Sequence, residues 1–412
     1  MLPLLSLLAC AGPADPANVD GDAIEKGADD PVWDPRTLPI YWLTLPDDWK
    51  AQLTAAIPSE DEYCLDRTTI LGRLDYDNPQ SGGTDHFNDV AVRFRGHSTL
   101  QGSERLGFKL LFDTLDPDAR FYNEKHINLL GVDGDESLLS ERLALGLMDA
   151  QGVPAGRVIH SRVFVNDEFL GIFPVSQEPD DQPFVDDHFV KESGHLYKVE
   201  GYCGGTADFA YEGEDYDEYD KKYVAKAGTL ATDVTTDLVP LLNCVAGNDA
   251  ALQTCLPTHI QLEEWLAEMA VDAVLPDIDG LAGAGQNFLM YNDPVTGTFV
   301  AYSYDKDQAF NTDTLESDSI FDFHPEWASP PELTTRMRAI WKSEYCAQVT
   351  SVIDDYAKIP AQIDDLVDFL SPYMATDPIL TVDAWTGEAG QIQTTITNRV
   401  SGLRDQAERC AP

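Results

Sequence analysis

Three oxygen-bearing side chains, Asp279, Asn287 and Asp305, fall at spacings that could assemble one pocket. Asp277-Ile278-Asp279-Gly280 closes a helix-patterned stretch, where carboxylates are costly to bury without partners but suit the wall of a cleft. Eight residues after Asp279, Asn287 opens a strand-patterned run, and Tyr304-Asp305-Lys306-Asp307 ends the run that would pair with it. A hairpin brings its two ends together, so Asn287 and Asp305 are expected on one edge, beside the helix end that carries Asp279. Amide and carboxylate oxygens gathered there are what a hard divalent cation takes, with phosphate oxygens and water completing its shell. A carboxylate left free of the cation, Asp279, would orient an attacking hydroxyl and accept its proton. The order Asp, Asn, Asp is the one used in protein-kinase phosphoryl transfer, although the local sequences HRD and DFG do not occur. The same residues also read as a turn Asp, a strand-start Asn and a solvated acid pair, and spacing alone leaves both readings open.

The elements that must position these residues follow from periodicity. Ile40, Trp42 and Thr44 alternate as a strand, 47–57 has helical spacing, and 68–74 starts another strand. The runs 89–95 (DVAVRFR) and 106–113 (LGFKLLFD) read as a hairpin whose turn begins Gly96-His97-Ser98-Thr99. Residues 137–151 have helical apolar spacing and end at Gly152, followed by strands 161–165 and 169–175 across the turn Asn166-Asp167. Beyond a loop-rich stretch at 176–258, the pattern predicts a helix at 261–274, strands at 287–292 and 298–304, and mostly helix to Cys410. Strands and helices segregate instead of alternating as βαβ units, so the fold class is α+β. The reading divides the chain into a signal at 1–10, a Pro-, Gly- and Asp-rich tether at 11–37, a β-rich part at 38–200 and a mainly helical part at 201–412.

The start, MLPLLSLLACAGPADPAN, resembles a lipoprotein-type signal in which Cys10 would carry the lipid anchor. Six further cysteines remain, Cys64, Cys203, Cys244, Cys255, Cys346 and Cys410, an even number that suits an oxidising compartment. Cys244 and Cys255 flank a turn and are one candidate pair, and Cys346 and Cys410 share the helical C-terminal part, although fifteen connectivities are open. With 72 acidic against 27 basic residues the net charge is −45, a field that repels nucleic acid and anionic lipid and attracts cations and basic segments. The acidic run at 212–220 lacks the ligand spacing of a calcium loop and reads as solvated surface. No Walker loop, HExxH, GxSxG or intact GxGxxG is present.

Several segments in order resemble the spore coat protein H (CotH) kinase family over most of residues 38–410. Val92-Arg93-Phe94-Arg95-Gly96-His97-Ser98-Thr99 with Phe108-Lys109 is similar to the family's arginine-glycine-asparagine-serine turn and basic strand. Ser137-Leu138-Leu139, Gly152-Val153-Pro154, the stretch from Phe164 to Gly171, Gln177-Glu178 and Leu196-Tyr197-Lys198 resemble its following elements. His97 stands where the family has Asn, Leu111 replaces a frequent second Lys, and Asp277-Ile278 precede Asp279 where the family has Asn and an aromatic residue. The resemblance implies an atypical protein-kinase-like, two-lobed fold, with an N-terminal antiparallel sheet, a packed helix and a mainly helical C-terminal lobe. It implies a Ser-directed protein kinase acting outside the cytoplasm with ATP and Mg or Mn. By it Asp279 is the catalytic base, Asn287, Asp305 and Asp307 hold the metal, and Lys109, Glu178 and Lys198 line the nucleotide pocket. The competing expectation is a non-catalytic cell-surface or coat binding protein on the same fold.

Overall fold

The computed structural model describes residues 32–55, 68–79, 83–96, 100, 104–131, 134–190, 194–199, 201, 205–226, 228–230, 232–312 and 315–410. Cys10 and the signal, most of the tether, Cys64, Cys203 and the His97-Ser98-Thr99 turn lie outside these residues.

Seven strands, β1 (Ile40–Thr44), β2 (Ile70–Asn78), β3 (Gly83–Arg95), β4 (Gly107–Leu111), β5 (His126–Leu129), β6 (Val158–Val165) and β7 (Glu168–Gln177), close into a barrel of order β1-β2-β3-β4-β5-β7-β6. Neighbours are antiparallel except β1 and β6, whose parallel pairing shuts the barrel. Alternation sends Val90, Val92 and Phe94 of β3 and Phe108 and Leu110 of β4 inward, into a core rich in rings that includes Tyr41, Tyr76, Phe121 and Phe173. The intervening residues Arg93, Arg95 and Lys109 therefore point outward. In β1 the expected alternation has the right period, but Tyr41 and Leu43 face the core while the exposed Trp42 stacks on Phe164 at 4.7 Å. Packing begins before residue 38: Val32 and Trp33 belong to the barrel core, and Asp34 and Thr37 are buried. The expected tether is therefore, over 32–37, part of the folded body. A short helix, α1 (Trp49–Ala55), follows β1.

Helix α2 (Ser140–Ala150) is started by polar residues before it. The Ser140 amide donates to Asp135 at 3.0 Å and the Leu139 amide to Ser137 at 3.0 Å. Its apolar face packs into a second, larger core, with the C-terminal sheet and helices.

Next come α3 (Gln182–His188), β8 (His195–Val199), β9 (Val224–Lys226), α4 (Leu238–Val245), α5 (Asp249–Cys255), α6 (Leu262–Val274), β10 (Phe288–Asp293) and β11 (Thr298–Ser303). Strands β8 to β11 form one sheet of order β11-β10-β8-β9. The division expected at 200/201 thus cuts through a sheet, since Lys198 of β8 pairs with Leu289 of β10. The apolar pattern of residues 196–199 satisfies the C-terminal core, and that burial decides where β8 docks. A small hairpin, β12 (Leu315–Ser319) and β13 (Asp322–Pro325), interrupts the run to the C-terminal helices α7 (Glu332–Ile340), α8 (Lys342–Tyr356), α9 (Ile359–Met374) and α10 (Val382–Glu408).

Disulfides join Cys244 to Cys255 and Cys346 to Cys410, the two pairings favoured by position in the sequence. A buried ion pair of 2.8 Å, Arg105 with Asp377, ties the barrel to the loop between α9 and α10. Asp377 also accepts the Ile172 amide at 2.8 Å, and Gly171 leaves the space: at φ 125°, a Cβ there would lie 2.6 Å from the Asp377 carboxylate.

Candidate active site

The hairpin argument for the acidic residues is realised in the backbone. Phe288 pairs with Ser303, and the Tyr304 amide donates to the Asn287 carbonyl at 3.0 Å, so Asn287 and Asp305 sit on one edge of the sheet. Both hold the left-handed conformation, φ 52° and 60°, which Asn and Asp tolerate better than most residues. Asp279, in the loop after α6, bonds to Gln286, the neighbour of Asn287. Burial, then Asp277 and Asp305, push the Asp279 carboxyl up to about 7.

Burial and the fields of Asp305, Glu141, Asp279 and Asp135 hold Asp307 well above the usual carboxylate range. Glu141, on the buried stripe of α2, is pushed up to about 7 by burial and by Asp305, against the opposing pull of Arg95. Its carboxylate accepts the Lys306 amide, anchoring the 305–307 segment to α2. Arg95, at the end of β3, reaches across from the barrel and donates to Asp305 at 3.1 Å.

Lys306 stands between Asp305 and Asp307 in the sequence, but it makes its ion pairs elsewhere. Its side chain turns inward, fully buried, onto Asp272 of α6 at 2.6 Å and onto Asp277. Burial works against its charge, but Asp272, Asp277 and Glu268 outweigh it and raise its pKa. Glu268, which accepts the Ser303 hydroxyl, is pushed up to about 8 by burial and Asp272. Asp272 also accepts the Ala282 amide at 2.8 Å, and a Cβ on Gly280 would lie 2.5 Å from its oxygens. One buried lysine therefore fixes the loop bearing Asp279 against the strand end bearing Asp305.

The basic residues gather where the outer face of the barrel meets the C-terminal sheet. Lys109 of β4 makes an ion pair with Glu178, just past β7, and Asn128 of β5 donates to the same carboxylate at 3.1 Å. Lys198 of β8 lies 3.9 Å from Glu178 and 3.2 Å from Asp180, which Lys226 of β9 also approaches at 3.4 Å. Burial opposes both carboxylates, yet the lysines keep Glu178 and Asp180 below their usual pKa values. The Lys198 ammonium stands 4.5 Å from the centre of the Tyr304 ring, beside Asp305, which links this cluster to the acids.

Among the described residues, no three of His, Cys, Asp or Glu stand close enough together to hold a metal ion by themselves. The donor chemistry nevertheless fits a cation of the magnesium type, which uses one or two carboxylates and takes its other ligands from water and phosphate. The raised carboxyls of Asp307, Glu141 and Asp279 follow first from burial and then from neighbouring acids, Asp305 among them in each case.

The fold is thus α+β, with a barrel-borne lysine–glutamate pair near a carboxylate-rich sheet edge. The chain belongs to the CotH kinase protein family, which matches residues 92–403. No curated protein sequence matches it. Among solved structures, the proinflammatory kinase CtkA of Helicobacter pylori is similar over 78% of this chain and 94% of its own, at 8% identity and a TM-score of 0.32.

Sequence reasoning did not assign Glu141, Arg95 or Asp180 to the site. Glu141 had a readable signal, a carboxylate in register with Leu145 and Met148 on the apolar stripe of α2. Asp180 lies in a loop with no periodic pattern, and Arg95 enters the sequence reading only as part of the strand and turn that carry the family resemblance, without a site role.

Proposed function

We propose that the chain is an exported, atypical protein kinase that transfers the ATP γ-phosphoryl group to a Ser hydroxyl of a protein substrate. Membership of the CotH kinase family supports the reaction class. The observation that carries the residue roles is the meeting of two charged clusters, Lys109, Glu178 and Lys198 on one side and Asp279, Asp305 and Asp307 on the other, joined through Tyr304 and Arg95.

In this reading Lys109 and Lys198, held by Glu178, pair with phosphate oxygens of ATP. Asn287, Asp305 and Asp307 hold Mg or Mn, which when bound supplies positive charge to the phosphates. Asp279 orients the attacking hydroxyl. As the Ser oxygen bonds to the γ-phosphorus and the bond to the β,γ-bridging oxygen breaks, Asp279 takes the hydroxyl proton and ADP leaves. A carboxyl pushed up to about 7 suits that task, being partly ionised at neutral pH and more basic than an ordinary Asp.

Two disulfides fit an oxidising compartment, and a lipid on Cys10 would hold the protein at a membrane. A basic substrate segment fits the net charge of −45. The test is transfer of label from γ-labelled ATP, with Mg or Mn, to the protein itself and to basic Ser peptides, with Asp279→Ala and Asp305→Ala as controls. Label that depends on both residues supports the assignment, and no label in the parent leaves the binding-protein reading ahead.

A further inference from the structure

Arg95 stands between the two clusters without a role in the scheme above. It is the last residue of β3, its backbone pairs with Gly107, and its side chain leaves the barrel on the same face as Lys109. The guanidinium donates to Asp305 at 3.1 Å, with both side chains partly shielded, 21% and 37% exposed. Burial disfavours its charge, yet Asp305, Glu178 and Glu141 together outweigh that cost, so acids of both clusters act on this one cation. A dication on Asp305 and a guanidinium on the same carboxylate would repel each other, so they compete for it. Once displaced, a planar fork of N–H donors within the field of Glu178 and on the face that carries Lys109 would be free to take phosphate oxygens, which it suits better than a point charge does.

Resting on the kinase reading of this site, we infer that Arg95 is the built-in counter-ion of Asp305, displaced by the divalent cation and then turned to the phosphates of the bound nucleotide. The two roles have opposite signatures, which a simple clamp between barrel and sheet would not produce. Arg95→Gln removes the competitor, so it binds Mn2+ alone more tightly, by about two- to fivefold, the scale of one partly exposed ion pair. The same substitution removes a phosphate ligand, so it binds Mg·ATP more weakly, by about tenfold or more. Arg95→Lys keeps the competing charge without the fork, and is expected to hold Mn2+ affinity near that of the parent while weakening Mg·ATP.

The experiment is Mn2+ binding to the intact protein by electron paramagnetic resonance and Mg·ATP binding by calorimetry, for the parent, Arg95→Gln, Arg95→Lys and Asp305→Asn, each checked for an intact fold by circular dichroism. Loss of Mn2+ binding in Asp305→Asn with opposite shifts in Arg95→Gln supports the inference. With that loss present, Arg95→Gln shifting both affinities in one direction, or neither, overturns the counter-ion role and leaves the kinase reading standing. If Asp305→Asn binds Mn2+ as the parent does, the metal site itself is misassigned and the inference falls with it.

Discussion

At the scale of single residues, backbone conformation and donor chemistry can be separated at Asn287. Its φ of 52° costs a residue with a Cβ about 1–2 kcal/mol, whereas glycine takes it freely. Asn287→Gly keeps the turn and deletes the side-chain oxygen, and Asn287→Ala deletes the oxygen and strains the turn. The Ala variant is expected to unfold about 1 kcal/mol more easily than the Gly variant in denaturant melts. Both are expected to lose Mn2+ affinity alike, and equal stabilities would remove the backbone argument. That Asn287 and Asp305 share one sheet edge was legible because the ends of a hairpin must meet. The partners of those residues were not: Arg95 and Asp305 are 210 positions apart, and Lys306 and Glu141 are 165 apart. No local pattern reports a contact of that span.

At the scale of elements, periodicity of two and of 3.6 located most strands and helices, since each needs one buried face. Closure of the barrel was not readable, because the parallel pairing of β1 with β6 depends on how two distant strands find each other and not on the pattern within either. Two buried groups now test how elements are held. Lys306 joins α6 to the end of β11, so Lys306→Met leaves Asp272 and Asp277 facing each other unpaired; the loss should be about 3–5 kcal/mol by urea denaturation. Adding Asp272→Asn should recover part of it, and no recovery would point to packing instead of charge.

The second group, Glu124, joins Trp33 to β7, accepting from Trp33 at 2.9 Å and from Gln177 at 3.0 Å. Burial pushes its carboxyl up to about 7 from 4.5. Between those two values the folded state binds the proton more tightly than the unfolded chain, so stability is highest at the acid end and falls as pH rises through the folded value. Glu124→Gln carries no such titration. Its stability relative to the parent should therefore improve by about 2 kcal/mol between pH 5.5 and 8, and parallel pH profiles would exclude the effect.

At the scale of the whole molecule, 27 cationic residues face 72 acids, and several of those cations are committed inside. Lys306, Arg105 and Arg338 are buried, and Lys109, Lys198 and Arg95 belong to the candidate site. More acids than cations are buried with them, but the outer surface remains strongly acidic, and the acids there repel one another over a Debye length of about 30 Å at 10 mM salt. That repulsion opposes the compact state more than the expanded one. Raising NaCl from 10 to 300 mM shortens the screening length several-fold, and the melting temperature should rise with it. The buried pairs of Lys306 and Arg105 are screened much less, so salt should not offset that gain by weakening them. Magnesium chloride at the same ionic strength should raise the melting temperature further in the parent than in Asp305→Asn, because a specific ligand of the folded state adds mass action to screening. Scanning calorimetry of both proteins in the two salts separates these contributions. A melting temperature that stays flat or falls as NaCl is added would mean that surface repulsion is not what limits stability, and identical magnesium responses in the two proteins would assign all of the gain to screening.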